Sequence, residues 1–297
     1  MSKPIVIDNL TVAYPSKRTS FTALEEVSLS IPAGQFVSVI GASGCGKSTL
    51  LSVLAGLRAP TSGTVLVGDE PVRGPGPERS VVFQQYALFP WMTAEANVAF
   101  ALAQARADVP RARRREVAAS YLEQVGLSGF GRRYPKELSG GQQQRVAIAR
   151  ALAEDGDVLL MDEPFGAIDA RNRAILQDLL VELWEGEQAD PAGRKTVVFV
   201  THDLDEAILL SDRIVMMGAD AAAGVPGHVV LDVEVPLPRP RHRLEMIRTA
   251  DYQAFRAQIS EVFFADALDG SAAAHPAAVG AAADVRAGSA ESGKELA

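Results

Sequence analysis

Phe36-Val37-Ser38-Val39-Ile40-Gly41-Ala42-Ser43-Gly44-Cys45-Gly46-Lys47-Ser48-Thr49-Leu50-Leu51 decides how the rest of the chain is read. Residues 36–40 have the character of a buried strand, and Thr49-Leu50-Leu51-Ser52-Val53-Leu54 that of a helix start. Between them lie two glycines separated by four residues and followed by Lys and Ser, the pattern of a phosphate-cradling loop. Glycines let the backbone bend until successive N–H groups point inward at anionic oxygens. The helix N-terminus adds the positive end of its dipole. Lys47 is placed to reach the β- and γ-phosphates of a nucleotide, and the Ser48 hydroxyl to ligate Mg²⁺. A glycine-rich turn with a lone surface lysine is the plainer reading, yet a chance match is roughly a one-in-a-hundred event from average residue usage. With strand and helix on the correct sides, the stretch reads as a nucleotide site.

The 297 residues allow one large domain or two smaller ones, with enough buried surface to need neither disulfides nor metal staples. Acidic residues outnumber basic ones, 37 to 29, and the formal net charge of −8 argues against a protein that coats nucleic acid. The single cysteine, Cys45, lies inside the loop and can form no internal disulfide, which is compatible with a reducing compartment. It reads as a small residue tolerated there rather than as a reactive thiol. No stretch approaches the ~18 apolar residues of a membrane span. Met1-Ser2-Lys3-Pro4-Ile5 opens no apolar leader. A soluble, cytoplasmic protein is the expectation.

Residues 5–14 and 27–31 read as short strands closed by Pro15 and Pro32, an N-terminal antiparallel β portion. Four apolar runs then repeat one arrangement. Residues 37–40 end at Gly41, 81–83 at Gln84, 158–161 at Asp162-Glu163, and 197–200 at Thr201-His202. Runs apolar on both faces suit a parallel sheet covered by helices, with ligands beyond the carboxyl ends of the strands. Four runs delivering glycine or polar residues to that edge point to one shared site.

Residues 94–126 are rich in Ala, Leu and Arg, so helices are expected; Val117, Tyr121, Leu122 and Val125 fall at helical spacing as a buried stripe. They belong to a helical subdomain, about 90–155, inserted into the α/β core. Arg111, Arg113, Arg114 and Arg115 form a basic run read as a solvated helix start, because no aromatics interleave it. Residues 213–217 and 229–235 read as late strands joined by a Gly- and Ala-rich loop at 218–228. Residues 236–241 are expected to be extended, and a helix near 245–264 follows. The folded domain is expected to span 1–265. Residues 266–297 are Ala-, Gly- and Ser-rich with few large apolar side chains, and are expected to form a disordered tail.

Asp162 and Glu163 are adjacent at a strand end, where pleating aims them in different directions, so they do different jobs. One holds Mg²⁺, directly or through water, while the other faces the γ-phosphate and a water molecule. An apolar run ending in an acidic residue is the second half of the nucleotide-hydrolase pattern. Glu163 suits a general base or water-orienting role, and His202 a γ-phosphate contact. Leu138-Ser139-Gly140-Gly141-Gln142 opens another helix. Ser139 is a good N-cap, and Gly-Gly is a poor first turn unless something must approach the backbone closely. That makes a second anion-binding helix N-terminus. One nucleotide does not need two cradles from one chain, so Ser139 and Gly141 are inferred to face a phosphate held by another subunit.

Leu138-Ser139-Gly140-Gly141-Gln142 resembles the signature of the ATP-binding cassette ATPases, the motor subunits of membrane transporters. The resemblance runs from about Ile5 to His202 and, less sharply, to about residue 264. It implies a P-loop nucleotide hydrolase core of α/β class with an inserted helical subdomain, and a head-to-tail dimer sandwiching two ATP. By that resemblance Tyr14 stacks on adenine, and Gly41, Ala42, Ser43, Gly44, Cys45, Gly46, Lys47, Ser48 and Thr49 bind the phosphates. Ser48, Gln84 and Asp162 serve Mg²⁺. Gln84 also reports to the transmembrane partner, Glu163 activates water, and His202 contacts the γ-phosphate. Ser139, Gly140, Gly141 and Gln142 face the opposite nucleotide, and Asp169 couples the two sites. Ile168 stands where Leu is usual, and residues 187–194 lengthen one connection; neither departure removes a catalytic group.

Phe89-Pro90-Trp91-Met92-Thr93, Phe165-Gly166 and Pro238-Arg239-Pro240-Arg241 resemble the nitrate, sulfonate and taurine importer branch. The implied function is ATP hydrolysis driving import of a small anion at the inner face of the cell membrane. Permease subunits would dock at 85–93, and a solute-binding protein would act indirectly. A soluble cassette ATPase acting on nucleic acid or ribosomes is the alternative, but tandem cassettes and long coiled-coil insertions are not visible. A regulatory module that holds ATP without cleaving it is disfavoured by Glu163 and His202.

Overall fold

In chain order the elements are β1 (Ile5–Tyr14), β2 (Phe21–Ile31), β3 (Phe36–Gly41), α1 (Lys47–Leu54), β4 (Ser62–Val67), β5 (Glu70–Pro71) and β6 (Arg79–Val82). Then come α2 (Ala94–Ala105), α3 (Arg114–Gln124), α4 (Gly140–Glu154), β7 (Val158–Asp162), α5 (Ala170–Glu185), β8 (Thr196–Val200) and α6 (Leu204–Leu210). The chain closes with β9 (Arg213–Asp220), β10 (Val225–Glu234), α7 (Arg243–Met246) and α8 (Ala250–Leu268). This computed structural model describes residues 2–15, 21–106, 108–166, 168–186, 194–220 and 223–268. Of the tail expected over 266–297, residues 269–297 lie outside the described residues, as do residues 187–193 of the lengthened connection.

The four apolar runs become neighbours. One sheet has the order β5-β4-β1-β2-β10-β9-β3-β8-β7-β6, and β9, β3, β8, β7 and β6 run parallel. Side chains along these strands alternate between two cores, as a period of two requires. Phe36, Leu159, Met161, Val197 and Phe199 pack against the helical layer that includes Leu176, Leu180 and Trp184 of α5. Val37, Val39, Val158, Leu160, Val198 and Val200 pack on the opposite face with α1 and the β1–β2 hairpin. Strands buried on both faces are continuously apolar, which is why their ends stand out in the sequence.

Two sequence expectations need correction here. The loop expected at 218–228 is a hairpin: β9 runs on to Asp220, β10 begins at Val225, and Gly218 pairs with His228. A ladder of backbone hydrogen bonds needs no alternating side chains, so small residues hid it. The helix expected near 245–264 is two, α7 and α8, the second running from Ala250 to Leu268 with Tyr252, Phe255 and Ile259 packed against α6.

Between β6 and β7 the chain forms α2, α3 and α4. Leu122 and Val125 of the expected stripe are buried and Val117 and Tyr121 partly so, with Ala118 filling its centre. The segment 89–93 is shaped by buried Asn97. Its Nδ2 donates to the carbonyls of Phe89, Met92 and Thr93, and its Oδ1 accepts from Phe89 N at 2.8 Å. The exposed Arg113 and Arg115 pair with Glu116 at 3.4 Å and with Glu95 at 3.7 Å, surface contacts of the kind that stabilises little. No described helix is long and apolar enough to cross a membrane.

Candidate nucleotide site

The glycines at 41–46 let the chain leave β3 and enter α1 through an inward-facing loop. Gly46 has φ 98°, and a Cβ there would collide with the Leu24 side chain and lie 3.0 Å from the Ala23 carbonyl oxygen. Gly44 has φ 88° with open space where a Cβ would point, so only its backbone conformation requires glycine. Gly46 is also the N-cap of α1 and brings no side chain to cap it, leaving the first N–H groups directed into the loop. Lys47 is only 7% exposed, and its Nζ donates to the carbonyls of Gly41 and Ala42, both at 2.9 Å. Cys45 is buried beneath, its Sγ 3.8 Å from the same ammonium.

A cleft of about 410 Å³ opens above this loop, lined by Tyr14, Phe21, Ala23, Ser43, Gly44, Gly46, Lys47, Ser48, Thr49 and Glu163. Tyr14 Oη shares a hydrogen bond of 3.2 Å with Thr49 Oγ1, and the Arg58 guanidinium lies 3.9 Å from the Tyr14 ring centre. Phe21 and Arg58 were not legible as site residues. The signal for Phe21 is strand register, since Tyr14 and Phe21 are paired where β1 hands over to β2.

At the carboxyl edge of the sheet Ser48 Oγ donates to Asp162 Oδ1 at 3.2 Å. Glu163 leaves the strand with φ 43°, so the two carboxylates part because of a left-handed backbone turn and not through pleating alone. Its N–H donates to Val200 O at 3.0 Å, and its Oε2 accepts from Gln84 Nε2 at 3.0 Å. His202 Nδ1 stands 3.6 Å from the same oxygen, with its side chain 62% exposed. Burial pushes the Asp162 carboxyl above its ordinary value, opposed by the Ser48 hydrogen bond and reinforced by Glu163. A hydroxyl and one carboxylate beside a phosphate cradle form a donor set that fits Mg²⁺, which favours oxygen ligands and keeps phosphates and water in its shell.

Ser139, Gly140, Gly141 and Gln142 do not line this cleft. Ser139 caps α4 in a closed capping box: its Oγ accepts from Gln142 N at 3.3 Å, and its N–H donates to Gln142 Oε1 at 2.9 Å. Asp169 caps α5, accepting from Asn172 N at 3.1 Å and Asn172 Nδ2 at 2.7 Å. These hydrogen bonds hold its carboxyl below the ordinary value. The expected residues thus fall in two groups, one around the cleft and one on the Ser139 and Asp169 helix tips.

Residues 24–166 match the protein family described as ABC transporter. The nitrate import ATP-binding protein NrtD of Synechococcus elongatus is 43% identical over 251 residues, covering 84% of this chain and 88% of that one. The chain belongs to the ABC transporter ATP-binding family. The bicarbonate transport ATP-binding protein CmpC of Synechococcus elongatus is 42% identical over 260 residues, 87% of this cassette and 38% of that longer chain. Among solved structures, the cassette resembles the dimeric ATP-binding cassette MJ0796 in a post-hydrolysis state bound to ADP and Pi. The TM-score is 0.67 at 32% identity, covering 79% of this cassette and 100% of that chain. The cassette has the α/β P-loop core expected of the family, with the helices between β6 and β7 inserted into it.

Proposed function

We propose that this cassette is the ATP-hydrolysing motor of a membrane importer for a small anion. The observation that carries the reading is the convergence of Lys47, Ser48, Asp162 and Glu163 at one cleft, with Gln84 and His202 both against the Glu163 carboxylate. Tyr14 offers its ring to the adenine, and the loop N–H groups and Lys47 take the phosphates. Ser48 and Asp162, with Gln84 at the edge, would hold Mg²⁺, which would supply positive charge against the phosphate oxygens. Glu163 orients and deprotonates the attacking water, and His202 donates to the γ-phosphate. Ser139, Gly140, Gly141 and Gln142 of a second copy complete the site from the other side, with Asp169 coupling the two sites across the dimer. The dimeric relative of similar fold supports that arrangement.

The cassette proper, expected over 1–265, would extend to the end of α8 at Leu268, with the tail following it. The segment 85–93, with Trp91 69% exposed and its ring 5.6 Å from Phe89, would seat a helix of the permease. That assembly belongs on the inner membrane face, with a solute-binding protein delivering the anion. Relatives named for nitrate and bicarbonate support a small anion; a sulfonate such as taurine belongs to the same class. Glu163→Gln is expected to keep ATP binding while lowering turnover roughly 10²–10³-fold, as for loss of one preorganised transition-state group. Near-normal hydrolysis by that variant contradicts the reading. Uptake of labelled nitrate, bicarbonate and taurine by the complex reconstituted with its permease identifies the solute.

A further inference from the structure

The turn carrying His202 is held from behind by groups to which the roles above assign nothing. Thr201, buried at the end of β8, donates its hydroxyl to Glu206 Oε2 at 2.6 Å and accepts from Asp203 N at 3.0 Å. Glu206, on α6, is 5% exposed, and its other oxygen accepts from Gln177 Nε2 of α5 at 2.7 Å. Gln177 Oε1 in turn accepts from Arg243. Arg173 stands beside the same acids, 3.7 Å from Asp203 and 3.9 Å from Glu206. Its Nη2 donates at 3.2 Å to the carbonyl of Ile168, the residue before Asp169.

Burial pushes the Glu206 carboxyl up, with the Thr201 hydrogen bond opposing. An apolar side chain of similar volume would fill this position at no such cost. What the carboxylate adds is geometry: one group accepts from the residue next to His202 and stands in ion-pair contact, though not hydrogen-bonded, with Arg173, which itself donates to the residue next to Asp169. We propose that Glu206 is a positioning residue. Through Thr201 it fixes the His202 turn against Glu163, and through the charge of Arg173 it links that turn to the Asp169 turn. The proposal rests on the role given to His202 above.

The test is a double-mutant cycle on the full-length chain, reading kcat and KM for ATP in Thr201→Val, His202→Ala and the double variant. Thr201→Ser serves as the conservative rescue. Thr201→Val is expected to lower kcat about tenfold at unchanged KM, the size of effect common when an orienting partner is lost. Thr201→Ser restores it, and Thr201→Val changes nothing further once His202 is alanine. An undiminished kcat in Thr201→Val, or the same loss in both backgrounds, overturns the proposal. A His202→Ala variant with full turnover overturns the role of His202 itself, and the positioning role with it. Should Thr201→Val fail to fold, Arg173→Met takes its place in the cycle, with Arg173→Lys as rescue and the same outcomes read the same way.

Discussion

The phosphate cradle and the Ser139 helix tip use one device, a glycine-bearing helix N-terminus, in opposite ways. At the cradle no side chain caps α1, Lys47 is buried, and Ser48 is bonded to Asp162. At the tip Ser139 and Gln142 cap α4 reciprocally, and the residues stand away from the cleft. With no side chain capping them, the first N–H groups of α1 are available to an anion. The tip of α4 is already satisfied by its capping box, and in the proposed dimer it would meet a phosphate only when a second copy arrives.

Breaking the cradle has the largest expected effect. Lys47→Ala is expected to weaken ATP binding by roughly 10²-fold or more, from the loss of charge-assisted hydrogen bonds to phosphate. Titration with a fluorescent ATP analogue measures this, and retained affinity contradicts the cradle. The same titration sharpens the contrast: Ser139→Ala is expected to leave the affinity of the isolated chain unchanged, while costing α4 about 1 kcal/mol of cap stability in thermal unfolding.

The smallest effect is a pH dependence at Asp162. Its carboxyl lies above the ordinary value of 3.8 because it is buried, so the folded chain binds that proton more tightly than the unfolded chain. This group's contribution to stability is therefore greatest below about pH 4 and declines as pH rises through the raised value. Asp162→Asn keeps an acceptor for Ser48 but carries no charge. It is expected to melt slightly higher than wild type at neutral pH without nucleotide, and to lose the Mg²⁺ dependence of ATP binding. A lower neutral-pH melting temperature, with the Mg²⁺ dependence intact, contradicts this.

What was legible in the sequence was local. Residues 36–54 carry strand, loop and helix in one contiguous pattern, and each core strand announces its end by a switch from apolar to polar. What was hidden depends on pairing across the chain. Gln84 and Glu163 were expected at one shared edge, but not the hydrogen bond that joins them across 79 residues, and β9 lies parallel beside β3 although 213–217 reads only as another strand. Arg58 over Tyr14 and Glu206 beneath Thr201 leave no periodic trace, because a single polar contact imposes no pattern on its neighbours. The hairpin at 218–228 was missed for a related reason: Gly and Ala carry no alternation to read.

The central claim is that cradle and tip meet across two copies of the chain. Sedimentation of Glu163→Gln with ATP and Mg²⁺, alone and combined with Ser139→Phe, tests it most directly. The account predicts dimers for Glu163→Gln, and ATP-bound monomers once the bulky ring blocks the tip. Dimers that persist with Ser139→Phe, or monomers throughout, would contradict it.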